Sequence, residues 1–170
     1  MENQGVFQGV EAYLRELKKA FELSVAEEIR ETGEYFERHL VFQLAKESFA
    51  LPVIQLREVL GNRLIVSVPG APPSVHGVIN YKNKILPVTN LHHLLQIPFH
   101  ETDNACLLVS GAAGFETTLL IDRLVNLISI GQETIKPKAA VRNETRNQLI
   151  TGDIYYRDKL ITLLDITAIN

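Results

Sequence analysis

The feature that most constrains this chain is that it nearly repeats itself. "HGVINYKNKILPVTNL" (76–91) returns 75 residues later as "TGDIYYRDKLITLLDI" (151–166). Gly77 falls on Gly152, Ile79 on Ile154, Tyr81 on Tyr156 and Lys82 on Arg157. Lys84 falls on Lys159, Leu86 on Ile161, Val88 on Leu163 and Asn90 on Asp165. The preceding segments correspond more loosely, "FALPVIQLREV" against "FETTLLIDRLV". Each copy reads as two short apolar runs around a polar turn, rich in β-branched and aromatic residues, which is the signature of a hairpin. Two similar halves of about five short strands predict two similar β subdomains packed together. Five short strands curl most easily into a small barrel.

The rest of the chain from Leu40 fits that plan. Strands are predicted at 77–81 and 84–88, and a hairpin over 105–121 turning between Gly111 and Gly114. "RLVNLISI" continues as strand, and 131–148 is a polar connection. "VPGAPPSVHG" is a loop, since its prolines forbid ladder donors. Gly77 ends that loop, where a crowded or left-handed backbone is expected. In "NYKNK" Asn tolerates positive φ and Lys tolerates solvent. Pro87 marks an edge position or the end of pairing. Asn90 caps a short helix over 90–97. Residues 1–37 differ: Val6, Val10, Tyr13, Leu14, Leu17 and Phe21 recur at three- and four-residue spacing, an amphipathic helical stripe. Ser24 and Glu27 form a capping-box pattern for a second helical stretch. The expectation is an all-β domain over 38–170 behind a helical N-terminal extension, which either packs on its own domain or binds a partner.

Composition narrows function mainly by exclusion. The 46% hydrophobic content of the 170 residues supports a packed core. No apolar run approaches the ~20 residues of a membrane span. The start has no signal-peptide order, and Cys106 is the single cysteine, so a cytoplasmic protein is expected, without internal disulfide or thiolate cluster. The formal charge of -3 argues against nucleic acid. His92 and His93 are adjacent and point about 100° apart on a helix, which is not a metal spacing. Cys106 opens an apolar strand and reads as buried and inert. Asp122, Asp153, Asp158 and Asp165 stand singly and read as turn formers and caps. "GAAG" lies between strands, so it reads as a turn rather than a phosphate loop. With no convergent acid–base or nucleophile set, the chain is expected to be a binding module rather than an enzyme, with no cofactor and no metal.

The segments "LVFQLAKESFALPVIQLREVL", "VPGAPPSVHGVINYKNKILPVTNL", "TLLIDRLVNLISIGQETIKP" and "ITGDIYYRDKLITLLDI" together resemble the CheW-like domain of bacterial chemotaxis. The resemblance covers about 38–169, and its most specific part is the glycine-to-leucine pattern at 77–91. It implies two intertwined five-stranded SH3-like β-barrel subdomains. It also implies a non-enzymatic adaptor that couples the cytoplasmic tips of chemoreceptors to a CheA-type histidine kinase, in the cytoplasm at membrane-bound receptor arrays. By the same resemblance, Leu56 and Leu127 are apolar partner-facing positions and Gly77 is a turn glycine. Glu58 is an acid that pairs with a base, here Lys82. The family usually carries Arg and Gly where this chain has Lys82 and Asn83, and Lys lacks Arg's bidentate fork. These departures and the long extension point to a specialised pathway such as type IV pilus motility beside the flagellar one. Leu56 also suits plain core, and Glu58 with Lys82 also suits an ordinary surface pair. A small-ligand or oligonucleotide-binding barrel is the rival reading, although such barrels need aromatic platforms and the chain has no Trp.

Overall fold

In the computed structural model the described residues are Arg15, 36–61, 63–102, 105–111, Gly114, 116–138 and 144–169. The N-terminal helical extension expected over 1–37, with its Ser24 cap, therefore lies almost wholly outside the described residues. Eleven strands are described: β1 (Phe36–Leu44), β2 (Glu47–Pro52), β3 (Leu56–Leu60), β4 (Val75–Tyr81), β5 (Lys84–Thr89), β6 (Cys106–Ser110), β7 (Thr117–Ile121), β8 (Arg123–Gly131), β9 (Lys136–Pro137), β10 (Ile150–Tyr156) and β11 (Lys159–Leu164). Two short helices, α1 (Leu91–Leu95) and α2 (Glu144–Leu149), follow β5 and precede β10. The repeated hairpins have the same bounds after the 75-residue shift, β4–β5 against β10–β11.

The strands form two sheets with equivalent strand orders. One runs β8-β1-β2-β11-β10-β9 and the other β3-β6-β7-β5-β4. Beyond β4, an isolated antiparallel bridge between Val66 and Val78 holds the place that β9 holds in the larger sheet. The expectation of five strands per half is thus corrected to six and five. The halves of the sequence are also not the two sheets. β1 and β2 leave the N-terminal half and pair with β8 and β11 of the C-terminal half. One parallel contact in each sheet, β2 with β11 and β7 with β5, joins strands from different hairpins.

Three apolar clusters account for this arrangement. Leu60, Ile79, Leu86, Val88, Leu107, Val109 and Leu120 fill the inside of the five-stranded sheet. Val41, Ala50, Ile128, Ile130, Ile154, Ile161 and Leu163 fill the six-stranded one. A third and larger cluster lies between the sheets; it includes Leu40, Phe42, Phe49, Leu51, Leu56, Val59, Leu108, Leu119 and Ile121. β1, β2, β6 and β7 contribute to an inner cluster with one face and to the central cluster with the other. A strand buried on both faces reads as a continuous apolar run rather than an alternating one, as "CLLVS" and "TTLLI" do, and both are buried throughout.

Local signals place the connections. Asn90 caps α1 through its side-chain oxygen, which accepts from His93 N at 3.1 Å. Asp165 does the same for the closing 3-10 turn, accepting from Thr167 N at 2.9 Å, and also takes a bond from Gln55 Nε2 at 3.0 Å. Asp158 and Gly114 sit in turns with positive φ. Asp153, expected at a strand end or turn, is instead inside β10, where it accepts from Thr162 Oγ1. Pro87 is inside β5, a strand with neighbours on both sides, and not at an edge. The ladder to β7 starts one residue later, at Val88, because proline has no N–H to give. In the other sheet the same place is Thr162, and there the ladder includes it.

Candidate functional site

The turn in "NYKNK" brings the site together. Tyr81 pairs with Lys84, leaving two central residues, and both Lys82 (φ 50°) and Asn83 (φ 64°) are left-handed. That is the type I′ geometry whose twist matches a two-residue hairpin. Arg157 (φ 48°) and Asp158 (φ 61°) repeat it in the other sheet. Tyr81 is half-buried against the inner cluster, and the Lys82 ammonium lies 4.7 Å from the centre of its ring.

Glu58 reaches this turn from the far side of the sheet. β3 and β4 are the two outermost strands of the five-stranded order, so Glu58 and the Lys82 turn start from opposite margins. The sheet curls until its margins meet, and Glu58 spans the seam. One carboxylate oxygen, Oε2, accepts from Tyr81 Oη at 2.5 Å and from Lys82 Nζ at 2.7 Å. Lys82 Nζ also donates to Tyr81 Oη at 2.8 Å, closing a three-membered ring of contacts. Burial works to raise the Glu58 pKa. The bonds from Lys82 and Tyr81 and the charges of Lys82 and Arg15 outweigh it, and the carboxyl sits below its ordinary value. Burial and the Glu58 bond raise the Tyr81 hydroxyl, and the Glu58 bond raises the Lys82 ammonium. A second ionic group flanks the first: Glu116 takes Arg57 of β3 on one oxygen and Lys84 of β5 on the other, at 3.1 Å for Lys84.

The other expected site residues lie elsewhere. Leu56 is 7% exposed and belongs to the central cluster, so it presents no apolar surface. The cause is a bulge: Leu56 pairs with Ser110 and Glu58 with Val109, leaving Arg57 as the extra residue. A bulge reverses the alternation beyond it. Leu56 therefore shares the inter-sheet face with Val59, while Glu58 turns to the other face. Leu127 is half-buried against that same central cluster. Gly77 does not end a loop or form a turn; it is inside β4, where an added Cβ would lie 2.6 Å from Val66 O. Tyr81 and Glu116 were missed as site members. Tyr81's recurrence as Tyr156 was the available signal, and nothing near Glu116 in the chain marks it.

The repeat is broken at this point. Matching the two bulges puts Asn126 of β8 where β3 has Glu58, since Asn126 pairs with Val41 as Glu58 pairs with Val109. The second turn keeps its base and aromatic ring, with Arg157 at 5.4 Å from the Tyr156 ring centre, but the position equivalent to Glu58 carries an amide. Only the five-stranded sheet has the carboxylate.

Elsewhere, Asp122 ties the two sheets together. Its Oδ2 accepts from Ala45 N in the β1–β2 turn at 2.6 Å, and its Oδ1 lies 2.9 Å from Nε2 of the buried His92. A cavity of about 700 Å³ adjoins it, lined by His76, Phe99, His100 and Glu101 among others. Among the described residues no three His, Cys, Asp or Glu side chains are placed to hold a metal ion. Burial pushes the Cys106 thiol up to about 12, which leaves it unreactive near neutral pH.

The family model described as CheW-like domain matches residues 38–170. The chain belongs to the CheW-like domain family. It is similar to the chemotaxis protein CheW of Treponema pallidum, 24% identical over 132 residues, covering 75% of this chain and 78% of that protein. It is also similar to the chemotaxis protein CheW of Helicobacter pylori, 28% identical over 145 residues, covering 82% and 85%. Among solved structures, the scaffolding protein TtCheW of Thermoanaerobacter tengcongensis superposes with a TM-score of 0.71 at 24% identity, covering 77% of this chain and 90% of that one. That likeness establishes the same fold. Among the described residues no helix is long and apolar enough to cross a membrane.

Proposed function

We propose that this protein is a non-enzymatic adaptor that couples chemoreceptors to a CheA-type histidine kinase in a chemotaxis-like pathway. In this reading each sheet is one SH3-like barrel, residues 38–170 are the adaptor domain, and the protein works in the cytoplasm at receptor arrays. Relatives named as chemotaxis proteins and a fold shared with a scaffolding protein support it. The observation that carries it is the Glu58–Tyr81–Lys82 cluster, because it breaks the repeat. A feature needed only for folding would be expected in both sheets, yet the second keeps the fold with Asn126 in place of the acid.

The cluster suits docking. Its acid and base are oriented by each other, and it sits at the rim beside the exposed Ile85. A partner that excludes water there strengthens the charged contacts. The receptor tip is assigned to the groove between the two sheets, the place that the family resemblance gives it. Type IV pilus motility is the pathway to which the long extension and the Lys82–Asn83 turn point. The test is copurification and affinity measurement with each CheA-type kinase encoded in the same genome. Binding that weakens on Glu58→Ala, with folding intact, supports the adaptor reading. Failure to bind any such kinase, with tight binding of a small molecule instead, overturns it.

A further inference from the structure

We propose that the cavity beside Asp122 binds a small organic cation, one carrying a guanidinium or an alkylated ammonium group. Its volume of about 700 Å³ is that of a small-molecule site. One wall is aromatic. The Phe99 ring lies between two imidazoles, tilted against His76 at 5.3 Å between centres and edge-on to the buried His92 at 5.1 Å. Although held on both sides, the ring is still 40% exposed, and it lines the cavity. Ile65 and Leu120 add apolar surface. In the repeat Thr151 stands at the place of His76, so this imidazole is no requirement of the repeated fold.

Charge selects the class of ligand. Asp122 and Glu101 both line the cavity, and among the described residues no lysine or arginine does. Asp122 is fixed in place by Ala45 N on Oδ2 and by His92 beside Oδ1. Glu101 is exposed and has no ion-pair partner among the described residues. An aromatic face with carboxylates beside it attracts a cation through the ring quadrupole and through charge together. A planar guanidinium can stack on such a ring and pair with a carboxylate at once. Among the described residues no three side chains converge as metal ligands, so the aromatic wall decides for an organic cation.

The site is separate from the Glu58 cluster. His76 stands at the opposite end of β4 from Tyr81, and no lining residue lies in a strand of the six-stranded sheet. The proposal therefore does not depend on the adaptor reading, and its test needs no kinase. The full chain is titrated by calorimetry at low ionic strength with agmatine, with acetyl-arginine-amide and with acetyl-citrulline-amide, the neutral isostere of the second. The expected result is saturable binding of a cation and none of the citrulline compound. Glu101→Gln and Phe99→Leu, with circular dichroism unchanged, should each weaken that binding about fivefold, and added salt should weaken it further. Glu58→Gln should leave it unchanged. Tighter binding of agmatine assigns the site to a free small molecule, and tighter binding of acetyl-arginine-amide to an arginine side chain of a partner; either supports a cation site. No saturable binding of either cation, equal binding of the citrulline compound, or an affinity indifferent to both cavity substitutions would each overturn the proposal. So would a loss caused by Glu58→Gln, which would put the cation at the rim.

Discussion

Gly77 and Gly152 meet the same obstruction. A Cβ on Gly77 would lie 2.6 Å from Val66 O and 2.7 Å from Ile65 Cγ2, and on Gly152 2.6 Å from Lys136 O and 2.7 Å from Ile135 Cγ2. In both sheets a neighbouring segment crosses at a distance that only glycine permits. Gly77→Ala and Gly152→Ala should therefore destabilise the protein alike, each by about 1–3 kcal/mol, because the obstructing atom is backbone. Urea denaturation of the two variants measures this. A neutral Gly77→Ala variant with reduced kinase binding would instead make Gly77 a contact residue.

Leu56 should behave as core. Leu56→Ala is expected to cost about 2–5 kcal/mol, as for other buried leucines. Leu56→Asp buries a charge among Phe42, Phe49 and Leu108 and should prevent cooperative folding. A melting temperature unchanged by Leu56→Asp would return this residue to the surface.

On the adaptor reading, Glu58, Tyr81 and Lys82 should act as one unit toward the kinase. In a double-mutant cycle, the affinity loss of Glu58→Ala with Lys82→Ala should be smaller than the product of the two single losses. Tyr81→Phe removes a hydroxyl that donates to Glu58 and should weaken binding in the same direction. Losses that multiply exactly as for independent sites would mean that the ring of contacts does not operate in the complex.

The Glu58 carboxyl also implies a pH window. Its folded pKa is lowered from 4.5, so its stabilising contribution is complete above that value and lost as pH falls through the lower folded pKa. The difference in melting temperature between the native protein and Glu58→Gln should be constant near neutrality and close in acid. A difference that grows in acid would contradict the direction of the shift.

Asp122→Ala should loosen the join between the sheets. It leaves Ala45 N without its acceptor, at a cost of about 1–3 kcal/mol. Asp122→Asn keeps an acceptor and should lose less, as chemical denaturation of both variants would show.

Much of this was legible in the residues, for local reasons. The turn at Lys82–Asn83, the caps at Asn90 and Asp165 and the repeated hairpin depend on chemistry within a few residues, and the chain displays that chemistry directly. The repeat even preserved the hairpin bounds. What the sequence did not contain was the partner of each strand. β1 and β2 are apolar on both faces, so their pattern names no neighbour, and they cross to the sheet of the other half because the central cluster needs apolar strands on both sides. The inward turn of Leu56 was equally hidden. Simple alternation puts Leu56 and Glu58 on one face, and a single extra residue, Arg57, separates them. That bulge exists only through pairing with β6, fifty residues away, as the Glu58–Lys82 contact exists only because the sheet curls until its outermost strands meet. Local propensity and turn chemistry were set by the sequence, whereas face, register and seam were decided by long-range packing, where the energy of burying both sides of a strand outweighs any preference its own residues express.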